Sequence, residues 1–146
     1  MEIPHYADGT ENLYEAHVVS DAETSETVRR VRVRAVRLDE LCGTETAPVR
    51  FIKMDVEGHE GEVIEGARNL LKHVRPALFI EISGDPDDTN SRAARVFEDL
   101  GAMDYQAFLW DGQALKPRKS GDFSVDYFFL QPLHREQLRA FCAHNQ

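Results

Sequence analysis

Two short apolar runs separated by a single helical stretch constrain this chain more than any other feature. Val49-Arg50-Phe51-Ile52-Lys53-Met54-Asp55-Val56 is nearly continuous in apolar character and ends on an acid, which predicts a buried parallel strand. Glu57-Gly58-His59-Glu60-Gly61 reads as the turn that follows it. From Glu60 the pattern becomes helical: Val63, Ile64, Ala67, Leu70, Leu71 and Val74 line one face, and burying each of the larger ones contributes about 1.5–3 kcal/mol. Glu60 and Glu62 at the start and Lys72 and His73 at the end complement the helix dipole. Arg75-Pro76 stops the helix, and Ala77–Ile82 is a second buried strand.

The rest of the chain extends this α/β pattern. Residues 1–12 read as a polar lead-in, Leu13–Ser20 as a short strand, and Ser20-Asp21-Ala22-Glu23 as a turn. Thr27–Leu38 alternates, with Val31, Val33, Ala35 and Leu38 between arginines, which predicts a strand with one wet face. Downstream we expect a loop over Gly84–Asp88, a helix over Ser91–Leu100 stopped by Gly101, and a strand over Met103–Trp110. A turn at Asp111-Gly112, a basic loop over Lys116–Asp122, a strand over Ser124–Leu130 and a short helix over Leu133–Ala143 complete the chain. Open α/β sheets hold ligands beyond the carboxyl ends of their strands, and Asp55, Glu57, His59, Glu81 and Ser83 fall there.

Charge narrows the function classes. The 146 residues carry 17 Lys and Arg against 26 Asp and Glu, a net −9. This argues against binding to nucleic-acid phosphates or to an anionic membrane. The arginines at 29, 30, 32, 34 and 37 therefore read as the solvated face of a strand. No apolar run approaches the ~20 residues of a membrane span. The opening Met-Glu-Ile-Pro-His lacks a signal-peptide pattern, so a cytoplasmic location is expected. Cys42 and Cys142 fit no metal spacing and read as plain thiols.

At this point the residues resemble a family. Phe51-Ile52-Lys53-Met54-Asp55-Val56-Glu57-Gly58-His59-Glu60 resembles the "iKiDvEGaE" signature of the FkbM family of S-adenosylmethionine-dependent methyltransferases. Val36–Leu41 is similar to that family's "v.LDeL", Val63–Ala67 to its "vl.Ga", and Pro76–Ile82 to its "P.l.iEi". Val18–Asp21 is similar to its "a.sD" step, and Tyr127–Leu130 to its closing strand. The four elements over 36–82 recur in order and spacing, which makes that block specific. The family's opening strand and Gly-rich "DvGAniG" turn have no counterpart. The resemblance thus implies a single, partial domain over 1–146: a Rossmann-like methyltransferase sheet without its first β-α-β portion and without the main cofactor cradle.

The resemblance also implies roles. Methyl transfer from a sulfonium needs a positioned acceptor, a destination for the hydroxyl proton, and exclusion of water. Asp55 stands where the fold places an acid beside the methyl group. It would act as base with a raised pKa, orient the hydroxyl, or complement the sulfonium. Glu57, His59 and Glu81 are further catalytic candidates. His59 is the better proton acceptor by its ordinary pKa, while Glu81 has a structural role or a substrate contact. Glu60 complements the helix start. Lys53, in a buried strand, forms a salt bridge or reaches the sheet edge. Ser20 and Asp21, with Asp55, are the cofactor-binding candidates, Asp21 as acceptor for the adenine amine; a plain polar turn is the other reading of that pair. Asp85, Asp87 and Asp88 read as a solvated loop, and Tyr105, Phe108 and Trp110 as packing residues.

The resulting expectation is O-methylation of a hydroxyl on a sugar or small metabolite, with S-adenosylmethionine as cofactor. A homodimer or a complementing N-terminal half would make good what the sheet lacks. The alternatives are a non-catalytic methyltransferase-like partner or self-associating subunit, favoured by an unpaired edge at the Asp55 strand, and a metal-dependent hydrolase built on Asp55, Glu57, His59 and Glu81.

Overall fold

The computed structural model describes residues 1–5, 8–11, 29–42 and 49–142. The expected strand at Leu13–Ser20, with Ser20 and Asp21, lies outside the described residues. The chain divides into two units, Met1–Val36 and Arg37–Gln146.

In the first unit, β1 (Glu2–Ile3) pairs antiparallel with β2 (Arg29–Arg30). The Met1 ammonium donates to the Val31 carbonyl at 3.0 Å, and Arg30 is paired with Glu2 at 2.9 Å. The predicted strand over Thr27–Leu38 is corrected here: residues 31–37 form no strand, and Val33 and Val36 are about half exposed. Alternation alone does not make a strand, and among the described residues no strand pairs with 31–37.

The second unit is built from α1 (Leu38–Leu41), β3 (Phe51–Met54), α2 (Glu60–Gly66), α3 (Arg68–His73), β4 (Ala77–Glu81), α4 (Arg92–Gly101), β5 (Gln106–Trp110), β6 (Leu115–Pro117), β7 (Asp126–Leu130) and α5 (Pro132–Gln137). Its five-stranded sheet runs β3-β4-β7-β5-β6. Only β3 and β4 are parallel; β7 is inserted antiparallel between β4 and β5, and β6 folds back on β5. The expected α/β class is what the structure shows. The region read as a basic loop instead opens with β6.

Pleating divides the sheet into two faces. One face presents Met54, Leu78, Ile80, Ile82, Tyr127 and Phe129 to Ile64, Leu71, Val96 and Leu100 of α2, α3 and α4, forming the main core. Phe97 packs edge-on against both Tyr127 and Phe129, with ring centroids at 5.0 Å. A smaller cluster on the other face gathers Ala77, Phe108, Leu115 and Leu130 beneath Leu138 and Cys142. Tyr105 and Phe108 are buried as expected, whereas Trp110 is 49% exposed and is no core residue.

The single helix expected over Glu60–Val74 is two. Gly66 meets the backbone of Arg37, whose Cα lies 3.7 Å from where a Cβ would stand, and Arg37 Nη2 donates to the Glu65 carbonyl at 2.9 Å. Two residues after Arg37, the Asp39 carboxylate accepts the Asn69 and Leu70 amides at 3.1 and 2.9 Å. It thereby satisfies two of the amides that a helix start leaves open, so α3 begins anew under a cap supplied from α1. Arg75, at φ +57, ends α3 by donating its amide back to Leu70 at 3.2 Å. Ser91 caps α4, its Oγ accepting from the Ala94 amide at 2.9 Å.

Candidate functional site

The carboxyl ends of the parallel strands β3 and β4 bring three acids into one row. Met54 is level with Ile80, which puts Asp55 level with Glu81, and Glu81 is paired across the antiparallel side with Asp126. Residues opposite one another on paired strands share a face. Asp55, Glu81 and Asp126 therefore lie side by side across three strands, on the face away from the main core. One row back on that face stand Lys53, Phe79 and Phe128, the two rings 4.6 Å apart.

Lys53 Nζ donates to Asp55 Oδ2 at 2.7 Å, and both side chains are exposed, at 54% and 40%. This fixes the carboxylate against its own strand. It also corrects the reading of Lys53 as interior to a buried strand. In the described sheet β3 is a terminal strand with one face open, so its alternate side chains Phe51 and Lys53 reach solvent. The salt bridge expected for Lys53 is present.

The carboxyl group whose pKa is raised is Glu81. The neighbouring charge of Asp55 is the largest cause, followed by desolvation, then Asp126 and Glu57, with Lys53 opposing them. Electrostatics thus couples three of the four candidate catalytic residues. Asp126 is the member of the row that sequence reasoning missed. Asp126 opens the apolar run Tyr127-Phe128-Phe129-Leu130, but which strand lies beside β4 cannot be read from that segment.

The turn after β3 is shaped by its backbone. Glu57 has φ +49 and Gly58 φ +90, successive left-handed residues that reverse the chain into α2. Glu60 is buried, and its Oε1 accepts the Gly58 amide at 2.9 Å, so it fastens the turn as well as standing at the helix start. Arg92 Nη1 reaches the Gly58 carbonyl at 3.3 Å from α4. His59 occupies the N-cap position of α2, with Nδ1 3.9 Å from Glu62 Oε1.

The loop after β4 is stapled rather than freely solvated. Asp87 Oδ2 lies 2.8 Å from Arg118 Nη2 and accepts the Gly121 amide at 2.7 Å. Arg118 stacks over Phe97, with its guanidinium carbon 5.3 Å from the ring centroid. Its approach to Asp87 is close but poorly directed, leaving Nε and Nη2 without a well-aligned acceptor. These contacts hold Asp87 down to about 2, chiefly through Arg118 and the Gly121 amide.

Among the described residues no three His, Cys, Asp or Glu side chains are gathered to hold a metal ion. The row of acids spreads along the sheet rather than converging, which gives the metal-dependent hydrolase reading no donor set there. No described helix is long and apolar enough to cross a membrane. A groove of about 410 Å³ crosses the same sheet face farther from the acids, lined by Phe51, Trp110, Phe128, Leu130 and Phe141 among others. None of the four candidate catalytic residues, nor Asp126, lines it.

The family model of the methyltransferase FkbM domain matches residues 2–107. That span takes in β3, the Glu57-Gly58 turn, α2, α3, β4 and α4. Comparison with curated proteins and with solved structures gives no match.

Proposed function

The chain belongs to the FkbM family of methyltransferase domains, and on that premise we propose that it serves S-adenosylmethionine-dependent O-methylation of a hydroxyl on a sugar or other small metabolite. In this reading residues 1–146 are one partial domain, the C-terminal portion of a Rossmann-like sheet. The observation that carries it is the in-register row Asp55–Glu81–Asp126 at the carboxyl ends of the parallel strands. Ligands of open α/β sheets bind beyond such ends.

The donor set fits the group the family implies. Carboxylates suit a sulfonium cation and ribose or acceptor hydroxyls, and here they stand beside the half-buried Phe79–Phe128 row. When bound, S-adenosylmethionine supplies the methyl group. Asp55, held by Lys53, orients the acceptor hydroxyl and complements positive charge. Glu81 takes the hydroxyl proton, because its raised pKa makes it a better acceptor than an ordinary glutamate. The negative field of Asp55, with smaller shares from Asp126 and Glu57, and desolvation raise it. His59 stands at the rim where α2 begins. Ser20 and Asp21 remain the candidates for the adenine.

Calorimetric titration of the folded chain with S-adenosylhomocysteine tests this. A Kd below about 100 µM, or about −5.5 kcal/mol, is expected. Asp55→Asn should weaken binding, whereas Glu81→Gln should leave it within about threefold while abolishing turnover. Absence of heat from a folded chain overturns the reading. The exposed Phe51 on terminal β3 favours a second reading, a non-catalytic methyltransferase-like subunit; that result would leave it standing.

A further inference from the structure

The outer edge of β3 is self-complementary. The Arg50 carbonyl accepts the Ala77 amide at 3.0 Å, so the backbone groups of Arg50, Ile52 and Met54 point towards β4. Those of Phe51, Lys53 and Asp55 therefore point away from it, because the direction alternates along a strand. Among the described residues no strand pairs with that side of β3. The side chains beside it are exposed: Phe51 at 54%, Lys53 at 54% and Asp55 at 40%.

Two copies of this edge meeting antiparallel about a two-fold axis have few registers open to them. Hydrogen bonding requires outward-pointing residues to oppose outward-pointing residues. A pairing centred on Lys53 sets the two lysines against each other, and one centred on Asp55 opposes the two aspartates. Like charges directly opposite are destabilising. A pairing centred on Met54 instead sets Lys53 of each copy against Asp55 of the other. It forms two opposite-charge pairs, and each Lys53–Asp55 pair exchanges two backbone hydrogen bonds. The axis is perpendicular to the sheet, so the two carboxylate rows lie on one side of a joined sheet.

We propose that β3 is the isologous contact of a homodimer, joined antiparallel about Met54, in which Lys53 of a second copy meets Asp55 of the first. Charge complementarity within the segment Lys53-Met54-Asp55 selects both the occupant and the register. The second copy also contributes a cation to each row of acids. The contact holds whether or not the chain binds S-adenosylmethionine, and its readout is molecular mass.

Sedimentation equilibrium of the full chain from about 1 to about 100 µM, with amide exchange at both ends of that range, tests it. The expected result is a monomer–dimer equilibrium in which the Phe51 and Lys53 amides gain protection as concentration rises. Lys53→Asp and Asp55→Lys should each raise the dimer dissociation constant at least about tenfold, and the double reversal should restore it to within about threefold. A monomer at every concentration overturns the proposal. So does a dimer that neither single reversal weakens, or one whose Phe51 and Lys53 amides stay unprotected. Should the reversals unfold the chain by circular dichroism, amide exchange in the unmodified protein decides alone.

Discussion

Glu81 and Asp126 face each other across the antiparallel β4–β7 pair, with Asp55 on the other side of Glu81. The central carboxyl therefore sits between two like charges, and its proton is held more tightly in the folded chain than in the unfolded one. Stability from this group is fully present below the ordinary glutamate value of 4.5 and declines as pH rises through the raised folded value. Thermal unfolding of Glu81→Gln should show a flatter decline above 4.5 than the unmodified chain, and Asp55→Asn should lower the Glu81 pKa seen by NMR titration.

Asp87 behaves in the opposite sense. Arg118 and the Gly121 amide hold it at about 2, below its ordinary 3.8. Its contribution is present above 3.8 and is lost as pH falls from there towards about 2. Asp87→Asn should erase that part of the acid-unfolding profile, measured as the denaturation midpoint at successive pH values, and leave the profile above pH 5 parallel to the original.

Asp39 caps a helix through amides thirty and thirty-one residues later in the chain. Asp39→Ala should cost about 0.5–2 kcal/mol in urea unfolding. It should also raise amide exchange at Asn69 and Leu70 above that of their neighbours. Exchange unchanged at those two positions would refute the capping role.

Tyr105 donates its buried hydroxyl to the Pro76 carbonyl at 2.7 Å, and burial pushes the phenol well above its ordinary range. Tyr105→Phe leaves that carbonyl without its partner and should cost about 1–3 kcal/mol. Ultraviolet titration should show that a tyrosine ionising only on unfolding in the unmodified protein is missing from Tyr105→Phe.

Gly58 holds φ +90 in the turn between β3 and α2. Gly58→Ala forces a side chain into a conformation that disfavours it and should cost about 1–2 kcal/mol. Because the turn carries Glu57 and His59, the same substitution should weaken S-adenosylhomocysteine binding more than its stability cost alone explains. Equal binding by the two proteins, measured well below the unfolding temperature, would separate the turn from the site.

The strand–helix–strand block from 49 to 82 was legible because its signals are local: a continuous apolar run, a period near that of a helix, and a proline after Arg75. The acids at the strand ends followed from the same reading. What remained hidden depends on partners distant in sequence. The break at Ala67 arises from Arg37 and Asp39, which nothing near Ala67 announces. Lys53 proves exposed because the described sheet places nothing beyond β3, and a hydropathy run carries no information about neighbours. Asp126 joins Glu81 only because β7 lies beside β4. Arg118 reads as part of a basic loop until Asp87 and Phe97 are seen against it.

The place of β7 in the sheet orders the assembly of the protein. β4 and β5 are never direct partners; each is joined to the other only through a strand that comes after both in sequence. While the chain is being synthesised, Ala77–Glu81 and Gln106–Trp110 leave the ribosome with their shared position vacant. The sheet closes when Asp126–Leu130 emerges and enters the gap from the opposite direction. Long-range pairing of this kind slows folding. A nascent chain paused before Asp126 exposes two adhesive strand edges at once, which is when a chaperone has most to shield.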